Sequence, residues 1–368
     1  MDMASFLDVA VELLAVESTG DRPDELERAM GLVLDFVGPG FSVERFESGG
    51  KPSALVYHRA VRPRFAVILN AHLDVAPAPA GQFRPYRDGD RLYARGAQDM
   101  KVSALAQSLA FRELAGGVAY PLGLQLVTDE EAGGSDGTLH QLREGVKGQF
   151  AVVGETSGLR IVTECKGVIR ARLRAQGRSA HGAYPWLGDN ALLKLHRAIG
   201  RILSAYPVPD QEAWRATVSL ARVHTPNLAF NQVPAEAEAW LDIRFPAGDP
   251  GLDGKTPEQI TAYLEGYCEP GVTPIVDRVA PPHRADHRRP EIAALAAAAR
   301  RHGYTGEFIR KHGSGDLRFY GMYGITSVSF GIGGDGQHGP SEYADIATIA
   351  PYYQALTDFL LGLGQELP

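Results

Sequence analysis

Phe65-Ala66-Val67-Ile68-Leu69-Asn70-Ala71-His72-Leu73-Asp74-Val75-Ala76-Pro77 is the stretch from which the fold can be read. Residues 65 to 69 are an unbroken apolar run, the pattern of a strand covered on both faces. His72 and Asp74 then fall where that strand should end. Two apart in extended backbone, they point to the same side. That suits a histidine metal ligand with a carboxylate behind it fixing the ring tautomer. His-x-Asp also fits an ordinary pair beside a turn, so its meaning depends on the rest of the chain.

Working outward, the spacing predicts helices over about 3–17 and 23–37, the second stopped by Gly38-Pro39-Gly40. Strands follow at 41–48, 53–60 and 65–71, then a Pro- and Gly-rich loop over 76–90. A helix over 102–114 and a buried strand over 122–127 lead into Thr128-Asp129-Glu130-Glu131. A strand over 150–153 leads into Gly154-Glu155, and one over 327–331 into Gly336-Gln337-His338. An Ala-rich helix (290–302) and a last helix (345–363) complete the set. Strands alternating with helices predict an α/β domain with a sheet between helices. In such sheets ligands bind off the carboxyl ends of the strands. His72, Glu130 with Glu131, Glu155 and His338 all fall at such ends.

From about 161 the rhythm changes to strand (161–176), helix (189–203), strand (216–225), strand (236–245), helix (257–267) and strand (273–280). The order βαββαβ is the ferredoxin-like split unit. Thr256-Pro257-Glu258-Gln259 supports its second helix, with Thr as N-cap and Gln completing a capping box. The expected division is a catalytic domain over 1–163, an inserted domain over 164–280 and the rest of the catalytic domain over 281–368.

Composition narrows the function. The chain of 368 residues is 44% hydrophobic and 22% charged, enough for a large core and two domains. A net charge of -7 without a Lys/Arg cluster argues against nucleic acid and toward small molecules or peptides as partners. Asp2, Asp8 and Glu12 interrupt the first apolar pattern, which reads as an amphipathic helix rather than a signal peptide. No apolar run reaches membrane-spanning length. Cys165 and Cys268, far apart and outside any CxxC context, read as reduced thiols, so a cytoplasmic location is expected.

Collected together, His72, Asp99, Glu131, Glu155 and His338 are two imidazoles and three carboxylates. That donor set suits two divalent ions, zinc first, with cobalt or manganese as alternatives. Five ligands are too many for one open tetrahedral site and fit two sites sharing a carboxylate. Two divalent ions, three carboxylates and one hydroxide also sum to neutrality, which a partly buried site favours. Glu130, beside a proposed ligand, is left free to take a proton from water and hand it to a leaving nitrogen. Such help is typically worth ~10²- to 10⁴-fold.

NAHLDVAP (70–77), ARGAQDMK (94–101), TDEEAGG (128–134), GETSG (154–158) and HGPSEY (338–343) resemble, in order and spacing, a family of co-catalytic zinc metallohydrolases. Aminoacylase, acetylornithine deacetylase, succinyl-diaminopimelate desuccinylase and carboxypeptidase G are members. The resemblance implies that His72, Asp99 and Glu155 bind one zinc, and Asp99, Glu131 and His338 the other. Asp74 would orient His72, Glu130 would be the general base, and the Asp99-Met100 peptide would be cis. The inserted domain would be a lid that joins two chains in a homodimer. Gly177-Arg178-Ser179-Ala180-His181 resembles the lid motif whose histidine reaches the partner's active site. Asn231, Arg244 and Arg318 fall in stretches similar to those that bind substrate, although an extra glycine precedes Asp316. Arg244 and Arg318 could equally be structural ion-pair partners. Thr156 and Val102 also depart from the usual proline and glycine.

The function expected is amide hydrolysis near a free carboxylate, since Arg forks suit carboxylates. A deacylase of N-acyl amino acids leads, with a dipeptidase or carboxypeptidase as alternatives. From another class, a metal-containing binding protein without turnover remains open, although intact Glu130 speaks against it.

Overall fold

The computed structural model describes residues 1–366; the last two residues of the segment 281–368 lie outside the described residues. The chain separates into two compact units. One comprises Met1–Thr163, Ala285–Arg310 and Gly315–Pro368, the other Glu164–Arg284 and Lys311–Ser314.

The larger sheet runs Ser42–Ser48, Lys51–Tyr57, Leu122–Val127, Phe65–His72, Gly148–Val153, Thr326–Ser329, Ile161–Cys165 in space. Its four middle strands, from Leu122–Val127 to Thr326–Ser329, are parallel. The flanking pairings are antiparallel. Phe65–His72 and Leu122–Val127 are buried at every position. Helix Val102–Leu114 packs on Phe65–His72 and on Ile349–Glu366, which in turn packs on Pro290–Arg301. Apolar side chains from these elements form one continuous core. Because the middle strands are parallel and adjacent, the loops after His72, Val127, Val153 and Ser329 all leave the same edge of the sheet.

Local sequence explains most element ends. Helix Pro23–Val37 starts with Pro at its first turn followed by Asp24 and Glu25, and stops at Gly38 with φ of 81°, a left-handed backbone that glycine adopts without strain. The loop expected over 76–90 carries more order than its Pro and Gly suggest. Tyr86–Asp88 pairs with Arg91–Tyr93, which pairs with Tyr343–Asp345, and Gly334–Asp335 completes this small antiparallel sheet. Its two halves come from residues 86–93 and 334–345, far apart in the chain, so no local pattern announces it.

The second unit holds strands Gly167–Gln176, Thr217–His224, Glu236–Phe245 and Val272–Ala280 with helices Ala191–Ala205 and Pro257–Glu265. In space the first strand lies between the third and the fourth, and the second borders the third, all antiparallel. That is the ferredoxin-like order. Glu236–Phe245 alternates along its length, turning one face into the apolar core shared with both helices. The capping box at Thr256 and Gln259 is formed. The strand expected over 161–176 is two strands broken at Lys166, each in a different sheet. Gly167 is where the second begins: a Cβ there would lie 2.5 Å from the Phe245 ring and 2.8 Å from the Ala280 carbonyl, a close approach only glycine permits.

Candidate metal centre

The four loops at the shared sheet edge, with the loop 94–101, bring seven of the residues singled out in the sequence together. His72, the last residue of its strand, is buried, as are Asp74, Asp99 and Glu155. His72 Nε2 lies 3.0 Å from Asp99 Oδ1 and 3.3 Å from Glu155 Oε1. The other oxygen of Asp99 lies 3.2 Å from His338 Nε2, which is 3.0 Å from Glu131 Oε1. Asp99 therefore stands between the two histidines. Two sets of ligand atoms result, each within 4.8 Å: His72 with Glu130 and Glu155, and Asp99 with Glu131 and His338.

The backbone of this region is unusual at two points. The Asp99-Met100 peptide is cis, as the resemblance implies, and His338 has φ of 59°. Gln337 Nε2 donates to Asp99 Oδ2 at 2.5 Å, and the Ala76 N–H donates to Glu131 Oε1 at 3.1 Å.

Asp74 acts differently from the simple picture of a carboxylate behind an imidazole. His72 Nδ1 donates to the Asp74 backbone carbonyl at 3.0 Å, while the nearer carboxylate oxygen is 3.6 Å away, beyond hydrogen-bond length. The carboxylate instead accepts from the Glu130 N–H at 3.2 Å and the Glu131 N–H at 3.0 Å. One residue thus fixes the His72 ring through its main chain and the paired glutamates through its side chain. With Nδ1–H spent on a carbonyl, the Nε2 lone pair is the one turned toward the carboxylates.

This donor set fits a cation. Carboxylates and an imidazole lone pair converge in each set. Without an ion, protons take its place. Burial opposes protonation of His72, but the nearby carboxylates of Asp74, Asp99 and Glu155 hold its pKa well above the ordinary value. Hydrogen bonds to Asp99 and Glu131 raise His338 to about 10. Burial, then the Glu155 charge, pushes Glu130 well above the usual carboxylate range. Burial also opposes ionisation of Asp99, yet its bonds from both histidines bring its pKa down.

The remaining sequence candidates have partners of their own. Arg318 is 5% exposed and donates to the Gly315 carbonyl at 2.5 Å and the Gly133 carbonyl at 2.6 Å. It braces the loop that carries Glu130 and Glu131 from behind. His181, Asn231 and Arg244 belong to the second unit. There the exposed His181 accepts from the Ala183 N–H at 3.1 Å, and the Asn231 carbonyl accepts from the Gly182 N–H at 2.6 Å. Arg244 forms a fork with Asp242 at 2.5 and 3.0 Å. The two departures from the family pattern are accommodated. Thr156 donates its hydroxyl to the Ile332 carbonyl at 2.9 Å, and Val102 is a fully buried first residue of its helix.

Sequence reasoning passed over Arg95 and Glu342, each inside a quoted motif. Both are buried and form an ion pair. Two opposite charges so far apart in the chain give no signal of pairing without the structure.

Residues 68–362 match the model of peptidase family M20/M25/M40, a span that contains the whole centre. The chain belongs to this family. It is therefore a hydrolase of amide bonds in a metal-dependent peptidase family. A probable carboxypeptidase of Emericella nidulans is 29% identical over 307 residues, 72% of this chain and 71% of that one. Succinyl-diaminopimelate desuccinylase of Acidiphilium cryptum is 27% identical over 381 residues, covering 97% of this chain and 99% of that one. Among solved structures, an M20 metallo-carboxypeptidase from Sulfolobus solfataricus superposes with a TM-score of 0.78 over the full length of both chains at 17% identity, a likeness of fold. No helix among the described residues is long and apolar enough to cross a membrane.

Proposed function

We propose that this family member is a deacylase that cleaves the amide bond of N-acyl amino acids with two divalent ions, zinc first and cobalt or manganese as alternatives. The observation that carries the reading is Asp99, whose two oxygens face His72 Nε2 and His338 Nε2 at 3.0 and 3.2 Å. His72, Asp99 and Glu155 would hold one ion, and Asp99, Glu131 and His338 the other. Bound there, the pair would polarise the scissile carbonyl and acidify water. Glu130 takes the proton of the attacking water on its carboxylate and returns it to the leaving nitrogen. A carboxyl beside His72 and Glu155 and outside the proposed ligand set is placed for both transfers. Asp74 keeps Glu130 and Glu131 in register through their N–H groups.

Near-complete coverage of the desuccinylase relative favours the deacylase. The identity to a probable carboxypeptidase favours the second reading, cleavage of a C-terminal residue from a small peptide. A panel of acetyl-, succinyl- and dipeptide substrates separates the two. Glu130→Gln is the test of mechanism: it should retain two ions and lose turnover ~10²- to 10⁴-fold. Glu131→Gln should lose an ion as well. If Glu130→Gln loses the ion and Glu131→Gln keeps it, the adjacent roles are reversed, an arrangement the proximity of Glu130 to His72 would accommodate.

The inserted unit would serve as a lid and dimer contact, with His181, Asn231 and Arg244 meeting substrate. The resemblance of 177–181 to the lid motif supports this. In a twofold dimer each active site would borrow His181 from the other chain. His181→Ala and Glu130→Gln should then be nearly inactive alone and recover activity when coexpressed. Verified heterodimers without recovery would refute the sharing.

A further inference from the structure

Glu342 is buried to 2% exposure close to the metal centre, yet both its oxygens are turned to partners other than the proposed ligand side chains. Oε1 accepts three backbone N–H groups, from Gly96 at 2.9 Å, Gln98 at 3.2 Å and Asp99 at 3.2 Å. Three donors converging on one oxygen wrap the 96–99 loop around it. Oε2 accepts from Arg95 Nη1. Arg95 Nη2 then donates to the backbone carbonyl of His338 at 2.9 Å. The Ala94 N–H donates to the main-chain carbonyl of Glu342 at 3.2 Å. The loop bearing Asp99 and the loop bearing His338 are thus tied at three levels: carboxylate to N–H, guanidinium to carbonyl, and main chain to main chain.

His338 makes this tie consequential. Its φ of 59° is left-handed, a conformation that non-glycine residues rarely adopt and that persists where surroundings hold it. The Arg95 bond lands on the carbonyl of that residue. We infer that Glu342 and Arg95 form a clamp that presets Asp99 against His338, so that the second ion of the pair meets a ready-made site. They are positioning residues, acting through the ligands and not on the substrate. Their hydrogen bonds reach Asp99 and His338 and none of those described goes to His72, Glu130 or Glu155. A buried ion pair kept only for fold stability would have no such preference, and its replacement by apolar groups is often neutral.

The inference rests on the two-metal reading, so the experiment measures both. Metal-free wild type, Glu342→Ala, Glu342→Gln and Arg95→Lys are titrated with zinc against a chromophoric chelator, with circular dichroism confirming the fold. Wild type should bind two ions. Glu342→Ala should weaken the second ion ~10- to 100-fold, the scale of lost outer-sphere support, and the first, which shares only Asp99 with the clamp, by clearly less. Glu342→Gln keeps an oxygen for the three N–H groups and should recover part of that loss. Arg95→Lys, which cannot fork between Glu342 and the His338 carbonyl, should also weaken the second ion more than the first. Two ions bound as in wild type by the folded variants would overturn the clamp while leaving the two-metal reading intact. Equal weakening of both ions would overturn it too, as general loosening. A wild type that binds a single ion overturns the two-metal reading and the clamp with it. Should Glu342→Ala fail to fold, Glu342→Gln and Arg95→Lys decide.

Discussion

His72 stands at the end of a strand buried throughout its length, whereas His338 stands on a loop with its side chain 49% exposed. The first takes its position from a ladder of backbone hydrogen bonds on both sides, to Leu122–Val127 and Gly148–Val153. Glu155 leaves the neighbouring strand of the same ladder. The second lies on the turn between two short strands of the small sheet, Gly334–Asp335 and Tyr343–Asp345, and is tied to the 94–99 loop through Arg95 and Glu342. Ladder-borne groups move only if the sheet moves, while loop-borne groups can be displaced singly. One half of the centre is thus scaffolded and the other is assembled, and the two should fail differently.

The largest difference should come from removing each histidine. His72→Ala should lose both ions and lower turnover by ~10³-fold or more, because the shared Asp99 loses its buried partner. His338→Ala should keep one ion, with turnover also lost. Metal analysis after gel filtration reads the contrast, and equal losses in both variants would erase it. Next in size is Gly96→Ala, placed where the two loops meet. Gly96 has φ of 82°, and a Cβ there would lie 2.6 Å from Val75 Cγ1 and 3.2 Å from Lys101 Cδ. Denaturant unfolding should show a loss of about 2–4 kcal/mol from strain and overpacking together. A stability equal to wild type would mean that the loops give way without cost. The smallest effect is expected from Arg318→Lys. Losing one of two bonds to backbone carbonyls behind the glutamate loop should lower kcat about tenfold and leave KM unchanged. A rise in KM at constant kcat would return Arg318 to the substrate.

Much of this was legible in the sequence, for reasons that differ by element. The apolar run at 65–69 and the largely apolar stretch 122–127 read as strands covered on both faces, and the chemistry-bearing residues just after them followed from that. The capping box at Thr256 and the βαββαβ rhythm were equally local. What escaped was whatever depends on pairing across the chain: the small sheet joining Tyr86–Asp88 and Arg91–Tyr93 to Tyr343–Asp345, and the Arg95–Glu342 pair. Asp74 escaped in part, because spacing shows that a carboxylate is near a histidine but not which oxygen of the residue does the work. Arg318 reads from sequence as a forked cation for a carboxylate. It reads equally as a structural partner, and two of its bonds do go to main-chain carbonyls.

The place of Thr326–Ser329 in the large sheet has a consequence for how the molecule is made. It lies between Gly148–Val153 and Ile161–Cys165, so a growing chain completes both neighbours long before the strand that separates them. At ~5–20 residues per second, the 173 residues from Val153 to Thr326 (326 − 153) take roughly 9 to 35 s to emerge. Through that interval the Gly148–Val153 strand presents an unpaired edge, apolar along most of its length, of the kind that templates aggregation. Ribosome-bound chains halted near residue 300 should therefore bind chaperones or aggregate, and full-length chains released from the ribosome should not. Equal behaviour of the two would mean that the waiting edge does not template aggregation.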